Sequence, residues 1–80
     1  MHEWYITQQL LDSVSVLAKE KEIVRISKIQ VELGKDSHIT EESLRSCFEL
    51  LSEKTVAAGA ALEIKQVAGA SLSAVSFEGE

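Results

Sequence analysis

The chain begins Met1-His2-Glu3-Trp4, and a histidine in second place puts three nitrogen donors within two residues. They are the Met1 amine, the His2 main-chain nitrogen once deprotonated, and the nearer nitrogen of the His2 ring. Each neighbouring pair closes a small chelate ring, so the donors favour one plane. Planar nitrogen sets suit Ni(II) or Cu(II) far better than Mg, Ca or Zn. A bulky second residue also discourages removal of the initiating Met, which keeps the amine in place. Glu3 can add its amide nitrogen or balance charge with its carboxylate. On position alone, however, a leader histidine is more often an unordered terminal residue than a ligand. The weight given to these residues therefore depends on the rest of the chain.

Two other side chains could do chemistry. His38 falls in a loop just before a helix, where the positive end of the dipole disfavours a protonated ring. An exposed polar loop residue is its plainer reading. Cys47 lies on an apolar stripe between Leu44 and Phe48 with no cationic neighbour in sequence, so it reads as a small buried hydrophobe. No Cys-His pair, Ser-His-Asp set or phosphate-binding glycine loop is present. Glu41 and Glu42 are adjacent on a helix and point apart, so they do not form an acid/base pair. The chain is read as a binding protein and not an enzyme.

Eighty residues with 45% apolar content are enough for one small core and one domain, residues 1–80. A single cysteine excludes an internal disulfide and the sulfur-rich zinc motifs. One thiol and no secretion signal point to a cytoplasmic setting. Gln8, Gln9, Asp12 and Ser13 interrupt the first apolar stretch, so no membrane span is expected. A net charge of −5 argues against nucleic-acid binding, which requires a basic face.

The elements that must position the terminus follow from periodicity. Residues 3 to about 20 form a helix, with Trp4, Leu10, Leu11, Val14, Leu17 and Ala18 as its apolar stripe. Trp4 is expected to anchor the helix start. A strand from Ser27 alternates, with Ile29, Val31 and Leu33 on one face, and ends at Gly34. Val24 and Ile26 are out of phase with that set, marking either a bulge or residues packed under the first helix. Thr40 caps a second helix, with Glu41 and Glu42 in its first turn and an Ile39–Leu44 staple. That helix runs to about Thr55 or Ala57, and Gly59 closes it. A strand from Leu62 to Val67 and another from Ser71 to Glu78 follow. The last two are expected to pair as an antiparallel hairpin across Ala68-Gly69-Ala70, with the final strand at an edge. The fold class is α+β, order α-β-α-β-β: two helices on one face of a three-stranded mixed sheet, with a right-handed crossover joining parallel strands.

Several segments resemble the HypA/HybF family: Met1-His2-Glu3-Trp4, Ile29-Gln30-Val31-Glu32-Leu33-Gly34, Glu42-Ser43-Leu44-Arg45-Ser46-Cys47-Phe48-Glu49, Thr55-Val56-Ala57 and Gly59-Ala60-Ala61-Leu62-Glu63-Ile64. The likeness covers nearly the whole chain, and the Met-His-Glu start is its specific part. It implies a nickel metallochaperone for [NiFe]-hydrogenase maturation, serving urease as well in some organisms. It also implies nickel ligands at Met1, His2 and, in some members, Glu3. The partners it implies are an accessory GTPase and a nickel-enzyme precursor. The family's zinc-binding domain, inserted between the second and third strands, is missing here between about 67 and 71, so no zinc site is expected. The alternative is a protein-interaction or regulatory module of the same fold that carries no metal, dimeric through an exposed edge strand.

Overall fold

The first element is a helix, α1 (His2–Glu20), in a computed structural model that describes the backbone from His2 to Glu80 and the side chains from Glu3 onward. Its buried stripe is Thr7, Leu10, Leu11, Val14 and Ala18, at the three- and four-residue spacing of one helical face. Trp4 and Leu17, expected in that stripe, are 44% and 45% exposed. At 3.6 residues per turn they fall on opposite flanks of it, and Leu17 borders the open groove beside β3.

α1 ends in a paired backbone cap. The Ile23 amide donates to the Ala18 carbonyl at 2.8 Å and the Glu22 amide to the Lys19 carbonyl at 3.1 Å, while Glu22 takes a φ of 59°. This is the left-handed residue that closes many helices, here occupied by glutamate instead of glycine. Ile23 then packs on the core. The short connection turns the chain back, so the following strand runs antiparallel to α1.

That strand, β1 (Ile26–Gly34), is central in the order β2-β1-β3, where β2 is Ala61–Val67 and β3 is Leu72–Gly79. Ile26, Ile29, Val31 and Leu33 are all buried. The three-residue step from Ile26 to Ile29 is explained by a register shift against β3 between Ile26 and Lys28. The extra residue lets both isoleucines face the core. Ile26 thus resolves as the bulge alternative, whereas Val24 is 77% exposed. β1 runs parallel to β2, with Ile29 beside Leu62 and Val31 beside Ile64. It runs antiparallel to β3, with Ile29 opposite Phe77, Val31 opposite Ala74 and Leu33 opposite Leu72.

The expected hairpin between the last two strands does not form, because β1 lies between them. The connection instead arches over the end of β1. The Gly34 amide donates to the Ser71 carbonyl, the Lys35 amide to that of Val67 and the Asp36 amide to that of Gly69, all at 2.8–2.9 Å. A connection this short can span two strand spacings, roughly 10 Å, as well as it can close a turn. Burying the apolar face of β1 from both edges favours the crossing. Gly34 permits it: a Cβ there would lie 2.4 Å from the Gly69 carbonyl oxygen.

α2 (Glu41–Ser52) begins as expected. The Thr40 hydroxyl accepts from the Ser43 amide at 3.0 Å, and Ile39 and Leu44 are both buried. The helix stops earlier than its periodicity suggests. The Thr55 amide and hydroxyl both donate to the Ser52 carbonyl, and the Val56 carbonyl is taken by the Ile26 amide at 2.8 Å. The segment after Ser52 is thereby tied to the start of β1. Leu10, Leu11, Val14, Leu44 and Phe48 form one core with β1, so both helices cover the same face of the sheet.

The opposite face is polar. Lys28 sits 3.1 Å from Glu78 and 3.6 Å from Glu63, and Gln30 bonds to Glu63 and Ser76. Glu78, with Glu63 beside it, raises the Lys28 pKa above the usual lysine value; the Gln30 amide and Lys28 lower that of Glu63. These groups face solvent, and salt weakens their attraction.

Two substitutions test this architecture by chemical denaturation. Gly34→Ala is expected to cost about 2–3 kcal/mol, because backbone must move to admit the methyl group. Stability within about 0.5 kcal/mol of the parent would contradict the close crossover. Glu22→Gly is expected to stabilise by about 1 kcal/mol by relieving the left-handed backbone, and a loss of stability would contradict the cap.

Candidate metal site at the amino terminus

The amino-terminal donors are presented by the start of α1. The first N–H groups of any α-helix have no carbonyl one turn earlier to bind. With α1 beginning at His2, the main-chain nitrogens of His2 and Glu3 lie in that unpaired set. Deprotonating them for a metal breaks no helical hydrogen bond. The positive end of the helix dipole also favours negative charge there, both on such a nitrogen and on the Glu3 carboxylate in the first turn. Met1 and the His2 imidazole, the two remaining donors anticipated from the sequence, lie outside the described residues.

What holds the helix start is different from the expectation. Trp4 only flanks the core, whereas Thr7 is fully buried and its hydroxyl donates to the Glu3 carbonyl. Thr7 thus fastens the first turn from beneath, one turn below Leu10 and Leu11. The signal for it was present in the chain: Thr7 continues the 7, 10, 11, 14, 18 spacing. A hydroxyl residue within an apolar stripe is easily passed over. Gln9 donates to the Tyr5 hydroxyl at 3.0 Å on the exposed side, and Glu3 itself is half-buried.

Among the described residues no group of three His, Cys, Asp or Glu side chains converges as a metal site. His38 is exposed, with a φ of 64°, in the loop that follows β1. Because α1 runs antiparallel to β1, that loop, the Ala68–Ser71 crossover and the start of α1 share one end of the molecule. Cys47 is buried on α2 as its stripe position implied. No helix among the described residues is long and apolar enough to cross a membrane.

The model of the family described as "Hydrogenase/urease nickel incorporation, metallochaperone, hypA" matches residues 1–72. The hydrogenase maturation factor HypA of Dehalococcoides mccartyi is 39% identical over 67 residues, covering 84% of this chain and 56% of that protein. The factor of the same name from Caldanaerobacter subterraneus is 37% identical over 67 residues, covering 84% and 59%. The chain therefore spans little more than half the length of these curated relatives. The solution structure of the nickel metallochaperone HypA from Helicobacter pylori superposes with a TM-score of 0.74, covering 81% of this chain and 56% of that one. At 24% identity, that likeness establishes the fold. With the family model spanning nine-tenths of its length, the chain belongs to the HypA family.

Proposed function

We propose that this chain is a nickel-binding domain that holds Ni(II) transiently at its amino terminus for delivery to a nickel enzyme, a [NiFe]-hydrogenase in the first instance. The observation that carries the reading is the start of α1 at His2. It leaves the His2 and Glu3 main-chain nitrogens without helical partners directly beside the terminal amine and ring. The Met1 amine, the His2 main-chain nitrogen and the His2 ring supply three in-plane donors. The fourth comes from Glu3, from water or from a partner protein. Three donors from a single chain terminus make an open, exchangeable shell, which suits a carrier better than a closed cage. The nickel ion is cargo here, and the chain performs no catalysis. An accessory GTPase and a nickel-enzyme precursor are the partners this role requires. No zinc site is assigned, since the chain has one cysteine and crosses from β2 to β3 in a few residues. A cytoplasmic setting fits the lone free thiol.

Coordination at the terminus leaves the core untouched, so binding and folding should separate. His2→Ala is expected to abolish stoichiometric nickel binding while the circular dichroism spectrum and denaturation midpoint stay unchanged; parental affinity in this variant would sink the site. Residues added before Met1 should be equally damaging, because they convert the amine into an amide, and full affinity in such a protein would contradict the amine's role. All donors bind deprotonated, so affinity should fall as pH drops through about 6.5, with protons released on uptake. A pH-independent isotherm would exclude imidazole ligation.

A further inference from the structure

Thr7 is a polar residue on an apolar face. Leu10, Leu11, Val14 and Ala18 continue its stripe along α1, and Thr7 is as completely buried as Val14 and Ala18. Valine has nearly the same shape and would fill this position without taking a hydroxyl out of water. The hydroxyl is not orphaned: it donates to the Glu3 carbonyl one turn earlier. In the ordinary helical ladder that carbonyl also accepts from the Thr7 amide. Thr7 thus grips one oxygen twice, from its main chain and from its side chain. Whereas the start of α2 is held by the Thr40 hydroxyl ahead of it, the first turn of α1 is held from within, by a residue seated in the core.

The grip fixes the winding of the residues that carry the candidate donors. At the ψ of an α-helix, about −42°, consecutive main-chain nitrogens lie on one side of the chain about 2.8 Å apart. At the ψ of a strand they turn away from each other and separate to about 3.5 Å. Only the wound form offers the His2 and Glu3 nitrogens to one ion at a chelating distance. Helix ends open readily, and affinity falls in proportion to the fraction of molecules in the binding-competent form. We propose that Thr7 is a positioning residue for nickel: its buried hydroxyl keeps the first turn of α1 wound, so that the His2 and Glu3 nitrogens are presented together. This rests on the amino-terminal site proposed above. It goes further by assigning part of the affinity to a core side chain outside the donor set.

Two variants of the untagged protein separate this role from core packing. Nickel affinity is measured by competition against a chelator, and stability by chemical denaturation. Thr7→Val keeps the volume and removes the hydroxyl. The Glu3 carbonyl retains its main-chain partner, so the denaturation midpoint should stay at or above that of the parent. Nickel binding should nevertheless weaken about fivefold, the equivalent of one net hydrogen bond lost from the wound turn, with faster hydrogen exchange at the Ile6 amide. Thr7→Ser does the reverse. It keeps the hydroxyl and loses a buried methyl group, so the midpoint should fall while nickel affinity stays at the parental value. Parental affinity in Thr7→Val overturns the proposal and leaves the amino-terminal site standing. An affinity that follows the denaturation midpoint across the two variants also overturns it, because Thr7 then acts through packing alone. A parent whose nickel binding is unaffected by His2→Ala overturns both readings, since no site is left for Thr7 to position.

Discussion

Burial of a single face of β1 is the constraint on which the other features depend. Ile26, Ile29, Val31 and Leu33 leave water together, and each such side chain contributes about 1.5–3 kcal/mol when fully covered. In an 80-residue chain without a disulfide, this central strand and the Leu10, Leu11, Val14 and Ala18 stripe of α1 supply the two longest runs of buried apolar residues among the described elements. Both helices must lie on that face and both other strands must flank it. The crossover above Gly34 and the bulge at Ser27 then become necessary, because they bring β3 alongside in a register that keeps its own apolar residues inward.

The same constraint orients the terminus. α1 is held along β1 through Leu10, Leu11, Val14 and Ala18, and Thr7 extends that grip to the Glu3 carbonyl. The helix start is thus supported from below while its amide nitrogens point away from the core. Among the described residues the fully buried stripe of α1 begins only at Thr7, so the main-chain nitrogens of the first turn lie clear of the core.

A sheet of three strands beneath two helices leaves the groove between α1 and β3 open. Arg45 of α2 bonds to the Leu62 carbonyl and Glu41 accepts from Gln66 on β2, whereas α1 packs beside β3 across the groove. The asymmetry comes from the crossover: it places the serine-rich last strand on the side where no helical side chain reaches the backbone.

Local features were readable directly from residue order. The 3.6-residue spacing of α1, the alternation in β1 and the Thr40 cap with its Ile39–Leu44 staple depend on neighbours a few positions away, whereas Gly59, expected to close α2, lies seven residues beyond its end at Ser52. The candidate donors at Met1, His2 and Glu3 came from covalent adjacency alone, and of them the described residues include only the His2 and Glu3 main chain and the Glu3 side chain. Strand order was not, because a short glycine-containing link serves a hairpin and a crossover equally, and only competition for the buried face of β1 chooses between them. The early stop of α2 at Ser52 and the exposure of Trp4 and Leu17 were equally hidden. Each depends on a partner distant in the chain, as when a β1 amide captures the Val56 carbonyl or β3 leaves an open groove beside Leu17. Short-range order set the elements; long-range burial decided how they were arranged and which strands lie at the edges of the sheet.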